Sequence, residues 1–158
     1  MPDFFVEEFT LEDAPTITKL LHCVWSSVTE YPPAWRARRT LSAEEICQEM
    51  REGGFRYFGI RVESRIIGVY KLSIGNEILG EQQTVDPAYR KKGLASLMYE
   101  HFLELGRQLG KPNCVNLLIT NKKMIAFVKR LGFRPSGDSY EQYPGMCVQK
   151  FYFYHKTE

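Results

Sequence analysis

The sequence predicts a mixed α/β fold in which one central sheet is covered by helices on both sides. Short β-type runs alternate with amphipathic stretches along the chain, in the order β-α-α-β-β-β-α-β-α-β-β. The composition, with 44% apolar and 25% charged residues, is that of an ordinary globular protein. The 158 residues contain no internal repeat and no long Pro/Gly linker, so we expect a single domain over residues 1–158.

In the N-terminal half, helix-start residues separate the predicted strands from the predicted helices. Thr10 and Asp13 have the spacing of a capping box, and Ser42 and Glu45 repeat it. Between these helices, two consecutive prolines interrupt the pattern and predict a loop or a broken helix. The predicted elements are a strand at 4–9, a helix from Thr10, a loop or broken helix at 26–40, a helix from Ser42 to Gly53, and strands at 55–62, 66–74 and 78–85.

The C-terminal half contains the most regular amphipathic segment of the chain. Large apolar residues recur at helical spacing between Gly93 and Leu109, and Gly110 follows as a stop signal. Residues 115–120 are nearly all apolar, which is typical of a strand buried on both faces. A short helix at 121–131 and a final strand at 147–155 complete the prediction.

Charge and composition exclude several functional classes. The chain has 21 Lys and Arg against 19 Asp and Glu, a net charge of +2, whereas a dedicated nucleic-acid binder usually has a strong basic excess. No apolar run approaches the roughly 20 residues that a membrane helix requires, and acidic residues occupy the N-terminus where a signal peptide needs cations. We therefore expect a cytoplasmic protein that binds neither nucleic acid nor membrane.

The sequence also lacks the motifs of the common metal and hydrolase sites. The four cysteines lie far apart and form no C-x-x-C pair, so no metal site is expected. The G-x-S-x-G and H-E-x-x-H motifs are absent, and none of the three histidines stands in a catalytic pattern. These absences direct attention to one basic segment.

The segment from Thr84 to Ala95 has the features of an anion-binding site. A strand ends there, the basic run Arg90-Lys91-Lys92 follows, and a long helix begins at Gly93. Free amides and a partial positive charge at a helix N-terminus attract anions, and glycine permits close approach. Cations at that end oppose the helix dipole unless an anion joins them. The alternative is a solvated basic turn before an amphipathic helix. Neither G-x-x-x-x-G-K-[ST] nor G-x-G-x-x-G is present.

Two motifs then resemble a known family. Arg90-x-x-Gly93-x-Ala95 is similar to the R/Q-x-x-G-x-G/A signature of the GNAT superfamily of acetyl-CoA-dependent N-acetyltransferases. The segment from Asn121 to Phe133 resembles the N-x-x-A-I-x-x-Y-x-x-x-G-F segment of that family. The two motifs occur in the family's order, and the order of elements extends the resemblance over nearly the whole chain.

The resemblance implies a splayed, mostly antiparallel sheet that holds acetyl-CoA in a V-shaped gap between the third β-run and the strand at 115. Backbone groups at 83–85 would pair with the pantetheine arm, and the amides of the basic turn would hold the pyrophosphate. Phe127 either lines the cofactor channel or is a core residue of its helix. No metal is required. The implied cofactor-binding residues are Gln83, Thr84, Val85, Arg90, Lys91, Lys92, Gly93, Leu94, Ala95, Ser96, Asn121 and Phe127.

The chain departs from the family where the catalytic acid is concerned. Val128 stands where many relatives have a Tyr that protonates the departing thiolate. Asn116 replaces the Glu of relatives that acetylate ribosomal-protein N-termini, so we do not expect this chain in that branch. Tyr140, with Tyr143 beside it, is the candidate acid, although both are equally interpreted as ordinary loop aromatics.

Glu81 is the candidate general base. It lies four residues before Val85, and regular alternation along the strand predicts that it faces the same side as Gln83 and Val85. A solvent-facing strand Glu is the competing interpretation. Glu77 is a weaker candidate because it lies at the outer end of the strand.

These residues predict transfer of an acetyl group from acetyl-CoA to a primary amine of a small molecule or peptide, by direct attack without an acyl-enzyme. The alternatives are a non-catalytic CoA-binding regulatory module with the same fold, and a longer acyl donor. The acceptor site would be formed by the first helices, the loop at 29–41 with Tyr31 and Trp35, and the loop at 140–146. The same aromatic residues would also suit core contacts or a homodimer interface.

Overall fold

Seven strands form one sheet in the computed structural model, which describes residues 3–156. All neighbouring strands run antiparallel except the fourth and fifth, which are parallel. The strands are β1 (Glu7–Glu8), β2 (Phe55–Val62), β3 (Arg65–Ile74), β4 (Ile78–Val85), β5 (Asn113–Leu118), β6 (Arg134–Tyr143) and β7 (Met146–Phe153). Their order across the sheet is β1-β2-β3-β4-β5-β7-β6.

Five α-helices cover both faces of this sheet, as the sequence predicts. They are α1 (Ala14–Trp25), α2 (Pro33–Ala37), α3 (Ala43–Arg51), α4 (Leu94–Leu109) and α5 (Lys122–Leu131). Side chains of α1 and α3 form one core cluster with Tyr57 and Val69, whereas α4 and α5 form a second cluster with Phe58 and Tyr70 on the other face. None of the helices within residues 3–156 is long and apolar enough to cross a membrane.

Both predicted capping boxes are present at the helix starts. The Thr10 amide donates to the Asp13 carboxylate at 2.8 Å, and a short 3-10 turn precedes α1 there. At α3 the exchange is reciprocal: the Ser42 amide donates to Glu45 Oε1 at 3.0 Å, and the Glu45 amide donates to Ser42 Oγ at 3.1 Å. These bonds satisfy amides that would otherwise lack a helical acceptor.

The structure differs from the prediction at β1 and at residues 140–146. β1 covers only Glu7–Glu8, because Phe5 is 66% exposed and the chain reaches the sheet only briefly. The segment at 26–40, predicted as a loop or a broken helix, contains the short helix α2, which begins at Pro33 as prolines favour in a first helical turn. The predicted loop at 140–146 is largely strand, since β6 continues to Tyr143 before a tight turn.

The sheet opens between β4 and β5. Their parallel pairing covers only residues 78–80 of β4 and 113–115 of β5. Beyond that point β5 continues to pair with β7, up to Leu118 opposite Val148, and β4 continues to pair with β3. The remainder of β4 therefore has an edge without a strand partner, and the splayed sheet is confirmed.

Candidate active site

The gap between β4 and β5 forms a cavity of about 190 Å³ that extends through the sheet. Side chains of α4 and α5 line one end of the cavity. Side chains of Trp25 and of the segment that joins α1 to α3 line the other end. The residues that line it include Trp25, Trp35, Arg38, Arg39, Glu81, Gln82, Gln83, Met98, Tyr99, Phe102, Asn116, Asn121, Met124, Gln142 and Tyr143. Both halves of the chain thus contribute to one cleft.

A β-bulge at Gln82 determines which side chains of β4 face each end of the cleft. Gln82 has φ 57°, in the left-handed region that non-glycine residues rarely adopt, and the pairing with β3 shifts there. Glu81 is opposite Lys71, and Thr84 is opposite Val69, on the face that carries α1 and α3. Val85 belongs to the core cluster beneath α4, on the other face.

Glu81 therefore does not share a face with Gln83 and Val85, and the prediction that it does is wrong. The extra residue of the bulge breaks the two-residue alternation on which that prediction depends. The Glu81 carboxylate still lines the cleft, from the face of α1 and α3. Its side chain is 21% exposed and lies 3.5 Å from the Arg38 guanidinium.

The free edge of β4 presents backbone groups to the gap. The Asp86 amide donates to the Ile67 carbonyl of β3 at 2.8 Å, and Thr84 is paired with Val69. Because backbone groups alternate along a strand, those of Gln83 and Val85 point away from β3, toward the gap. In the predicted set at 83–85, the backbones of the two outer residues thus face the gap.

Thr84, the middle residue of that set, has a different position. Its side chain is 2% exposed, accepts a hydrogen bond from Trp25 Nε1 at 2.9 Å, and donates to the Gln82 carbonyl at 3.0 Å. Since its backbone faces β3, Thr84 ties α1 to the bulge rather than presenting polar groups to the gap.

The turn before α4 carries a row of unused amides. Within the described residues, the amides from Lys91 to Ser96 donate to no acceptor, and the first helical bond runs from the Leu97 amide to the Gly93 carbonyl at 3.1 Å. Lys91 and Gly93 have φ 64° and 80°, left-handed conformations of the kind found in anion-binding backbone turns. A Cβ on Gly93 would meet nothing within 4 Å, so open space lies over the turn.

The basic side chains of this turn are exposed and free of carboxylates. None of the salt bridges among residues 3–156 involves Arg90, Lys91 or Lys92. Leu94 is buried in the core and fixes the helix start, while the Ala95 carbonyl accepts a hydrogen bond from Gln83 Nε2 at 3.4 Å. Free amides, free cations and open space thus occur together at the end of the β4 edge, which is the combination that an anion site requires.

Asn121 and Phe127 have separate positions. Asn121 lines the cleft and caps α5, where its Oδ1 accepts from the Met124 amide at 3.2 Å, so its amide nitrogen remains for a ligand. Phe127 packs edge-on against Tyr99, with ring centroids 5.4 Å apart, and is not among the cleft-lining residues described. This position agrees with the core interpretation of Phe127.

Several tyrosines surround the cleft, but Tyr140 is not in its described lining. Its hydroxyl donates to Asn116 Oδ1 at 3.1 Å, and the residue is 45% exposed. Tyr143, three residues further along the same strand, does line the cleft. Tyr99 also lines it, and burial raises the pKa of its hydroxyl. Val128, at the position of the family's Tyr, is fully buried.

A buried ion pair lies next to Glu81, on the face of the sheet that carries α1 and α3. Lys71 is 1% exposed, and its Nζ lies 3.0 Å from both carboxylate oxygens of Glu49 in α3. Tyr57 donates its hydroxyl to the same carboxylate. Burial lowers the pKa of Lys71, and the Glu49 charge opposes that effect. In the sequence, the signal for this pair is a lysine inside the apolar run of β3, from which no ion pair was predicted.

A cluster at the α1 and α2 end of the cleft was not predicted from the sequence. Trp25 and Trp35 meet edge to face with centroids 5.6 Å apart, and Arg39 lies over the Trp35 ring at 3.6 Å from its centroid. All three line the cleft. Because the cluster joins α1, α2 and the residues after α2, no single segment shows it as a pattern.

Comparison with known proteins agrees with this arrangement. The profile of the family described as Acetyltransferase (GNAT) family matches residues 19–133, from α1 to the end of α5. No curated protein sequence matches the chain significantly.

Solved structures resemble the chain at low sequence identity. The PaiA N-acetyltransferase from Thermoplasma acidophilum, in complex with coenzyme A, is 15% identical with a TM-score of 0.70, over 94% of this chain and 98% of that one. A spermidine N-acetyltransferase SpeG chimera from Vibrio cholerae and hSSAT is 17% identical with a TM-score of 0.73, over 97% and 96%. A ribosomal-protein alanine N-acetyltransferase from Escherichia coli is 15% identical with a TM-score of 0.69, over 95% and 91%.

At these identities the likeness establishes the fold and not the substrate. The family profile, however, covers well over half of the chain and includes both the amide-rich turn and α5. The chain belongs to the GNAT family of acetyltransferases.

Proposed function

We propose that the protein transfers the acetyl group of acetyl-CoA to a primary amine by direct attack in the cleft between β4 and β5. The observation that carries this proposal is the continuity of backbone donors from the free edge of β4 to the turn at 91–96. Family membership and the coenzyme A complex of the PaiA enzyme support the same donor.

The residues present fit coenzyme A. The amides from Lys91 to Ser96 and the cations of the basic turn suit a pyrophosphate, and the open space over Gly93 admits it. The backbones of Gln83 and Val85 suit the amides of a pantetheine arm, which would add to β4 as a strand. We assign the Val85 amide to the thioester carbonyl, where a backbone donor stabilises the developing negative charge.

Glu81 accepts the proton that the acceptor amine must lose, directly or through a water. An amine has a pKa near about 10.4 and arrives protonated at neutral pH. The bulge directs Glu81 to the face of α1 and α3, opposite the face of Val85, so the base and the donor approach the gap from different sides. Arg38, 3.5 Å away, pairs with the carboxylate and orients it.

The thiolate that leaves requires a proton or water. Tyr140 is our candidate from the sequence, but its hydroxyl is engaged with Asn116. Tyr143 and Tyr99 line the cleft, and within the described residues neither hydroxyl donates to a protein acceptor. A Phe substitution at each of the three positions identifies the donor by a loss of turnover at unchanged CoA affinity.

The test is turnover of acetyl-CoA with a panel of amines, followed by the pH profile of kcat/KM for Glu81→Gln. We expect a loss of about 10- to 1000-fold at neutral pH. The loss should shrink as pH rises, because more acceptor is then a free amine without help. Glu77→Gln is the matched control, since Glu77 is also ion-paired, with Lys150 at 2.9 Å, but lies outside the described cleft lining.

Two results would contradict the proposal. If Glu81→Gln matched the parent at every pH, the base would be water or another residue. If coenzyme A bound tightly and no amine of a broad panel were acetylated, the chain would be a CoA-binding regulatory module.

A further inference from the structure

Two guanidinium groups line the acceptor end of the cleft. Arg38 and Arg39 follow α2 directly and both reach the cavity. Arg39 lies 3.6 Å from the centroid of the Trp35 ring and 5.9 Å from that of Trp25, and its Nη1 donates to the Trp35 carbonyl at 3.3 Å. Stacking on an indole holds the plane of a guanidinium while its edge remains free for hydrogen bonds.

At this end of the cleft, positive side chains outnumber negative ones. Within residues 3–156, Arg38 pairs with Glu81 at 3.5 Å, whereas no carboxylate lies within salt-bridge distance of Arg39. Burial and the neighbouring Arg38 charge lower the pKa of Arg39 to about 10, so its positive charge is held at a cost at neutral pH. A partly buried guanidinium without a carboxylate partner is a site that an anion would stabilise.

We infer that the acceptor amine carries an oxyanion, a carboxylate or a phosphate, and that Arg39 binds it. The inference rests on the proposed function, because it assigns the acceptor end of the same cleft. Arg39 offers a planar fork of donors that matches a carboxylate in two parallel hydrogen bonds. Glu81 lies beside Arg38 at the same end of the cleft, so one acceptor could place its ammonium toward Glu81 and its oxyanion toward Arg39.

The same charges oppose polycationic acceptors. Two guanidinium groups against one carboxylate repel a second ammonium group, and repulsion of this kind is a common source of specificity. The SpeG chimera of similar fold is named for spermidine, a substrate with several positive charges. The acceptor end of this chain therefore differs in charge preference from what a polyamine requires.

Binding, measured by calorimetry on the protein saturated with CoA, tests the inference without relying on turnover. The probes are leucine and leucinamide, aminoethyl phosphate and ethanolamine, and spermidine. We expect leucine and aminoethyl phosphate each to bind about 10- to 100-fold more tightly than the partner that lacks the oxyanion, as charge-assisted bidentate hydrogen bonds allow. The pair with the larger ratio shows whether the oxyanion is a carboxylate or a phosphate.

The variants are Arg39→Gln, Arg39→Lys and, as a matched control, Arg51→Gln at the exposed end of α3. We expect Arg39→Gln to remove the preference while CoA affinity is unchanged, Arg39→Lys to keep part of it, and Arg51→Gln to keep all of it. Unchanged CoA affinity also shows that Arg39→Gln is folded.

Equal affinities within each pair, a preference that survives Arg39→Gln, or tightest binding of spermidine would overturn the inference. The proposed function fails by a different result, namely the absence of acetylation. If the protein bound leucine through Arg39 but acetylated no amine, the oxyanion site would be supported and the proposed enzymatic activity would be refuted.

Discussion

Replacing Gly93 by Asp separates coenzyme A binding from folding, because α4 offers a matched control at its other end. Gly93 and Gly110 flank the helix, have φ 80° and 65°, and would each direct a Cβ into space with no atom within 4 Å. The backbone strain of an Asp at either position is therefore similar, about 1–2 kcal/mol. Only the first position lies among the unused amides at 91–96.

The loss of affinity follows from those amides. A carboxylate on residue 93 occupies the open space over the turn and accepts hydrogen bonds that a pyrophosphate would otherwise receive. Hydrogen bonds to a charged group contribute about 1.5–3 kcal/mol each, so losing two costs about 3–6 kcal/mol. We expect CoA to bind Gly93→Asp at least about 100-fold more weakly. Repulsion between the two anions adds to this loss.

The free energy of unfolding should rank the two variants in the opposite order to their affinity for CoA. An Asp at the N-terminus of a helix gains about 0.3–1 kcal/mol from the dipole, and an Asp at the C-terminus loses a similar amount. Gly93→Asp should therefore be more stable than Gly110→Asp by about 0.6–2 kcal/mol. For a chain of this size, each kcal/mol is about 2–4 °C in Tm. The cations Arg90, Lys91 and Lys92 increase the difference at low salt.

Calorimetric titration with CoA and thermal unfolding measure the two quantities on the same samples. We expect Gly93→Asp to be folded and unable to bind CoA tightly, and Gly110→Asp to be less stable and to bind CoA like the parent. Parental CoA affinity in a folded Gly93→Asp would refute the anion site. Equal losses of affinity in both variants would show that stability, not the turn, controls binding.

Two further predictions concern charge. Replacing the three cations of residues 90–92 by Ala should weaken CoA binding and flatten the dependence of log Kd on log salt, because exposed charges are screened; an unchanged slope would remove their electrostatic role. Glu49→Gln leaves Lys71 buried without a counter-charge and should cost up to about 3 kcal/mol of unfolding free energy at pH 7. Because burial lowers the pKa of Lys71 in the folded state, the unfolded chain binds more protons between that lowered pKa and 10.5, and stability rises with pH in that range. The deficit of Glu49→Gln relative to the parent should shrink between pH 7 and about 10 in urea unfolding, and a constant deficit would contradict this reasoning.

Much of the fold could be predicted because its signals are local. The capping boxes at Thr10 and Ser42 need only the spacing of two residues, and glycines follow the ends of α4 and α5. The turn at 90–95 combines cations, a glycine and a helix start within one short segment. Such signals do not depend on how distant elements pack.

The features that were missed depend on packing or break a regular period. β6 is exposed along nearly its whole length, so it has no apolar alternation from which its end at Tyr143 could be predicted. The bulge at Gln82 involves no glycine and therefore leaves no mark in the sequence. Arg39 acquires its position from Trp25 and Trp35, and that contact exists only after α1 and α2 pack together.

The bulge in β4 also decides what a change in the length of this strand would do. Glu81 lies opposite Lys71 and Thr84 opposite Val69, so two steps along β3 correspond to three along β4. Loss of one residue at the bulge would restore a regular ladder and leave both of these pairs in place. Loss of one residue elsewhere in β4, with the bulge retained, would instead turn every side chain beyond that point to the other face of the sheet. The bulge is thus the one place in β4 where the strand can shorten by a residue while Glu81 keeps its position beside Arg38.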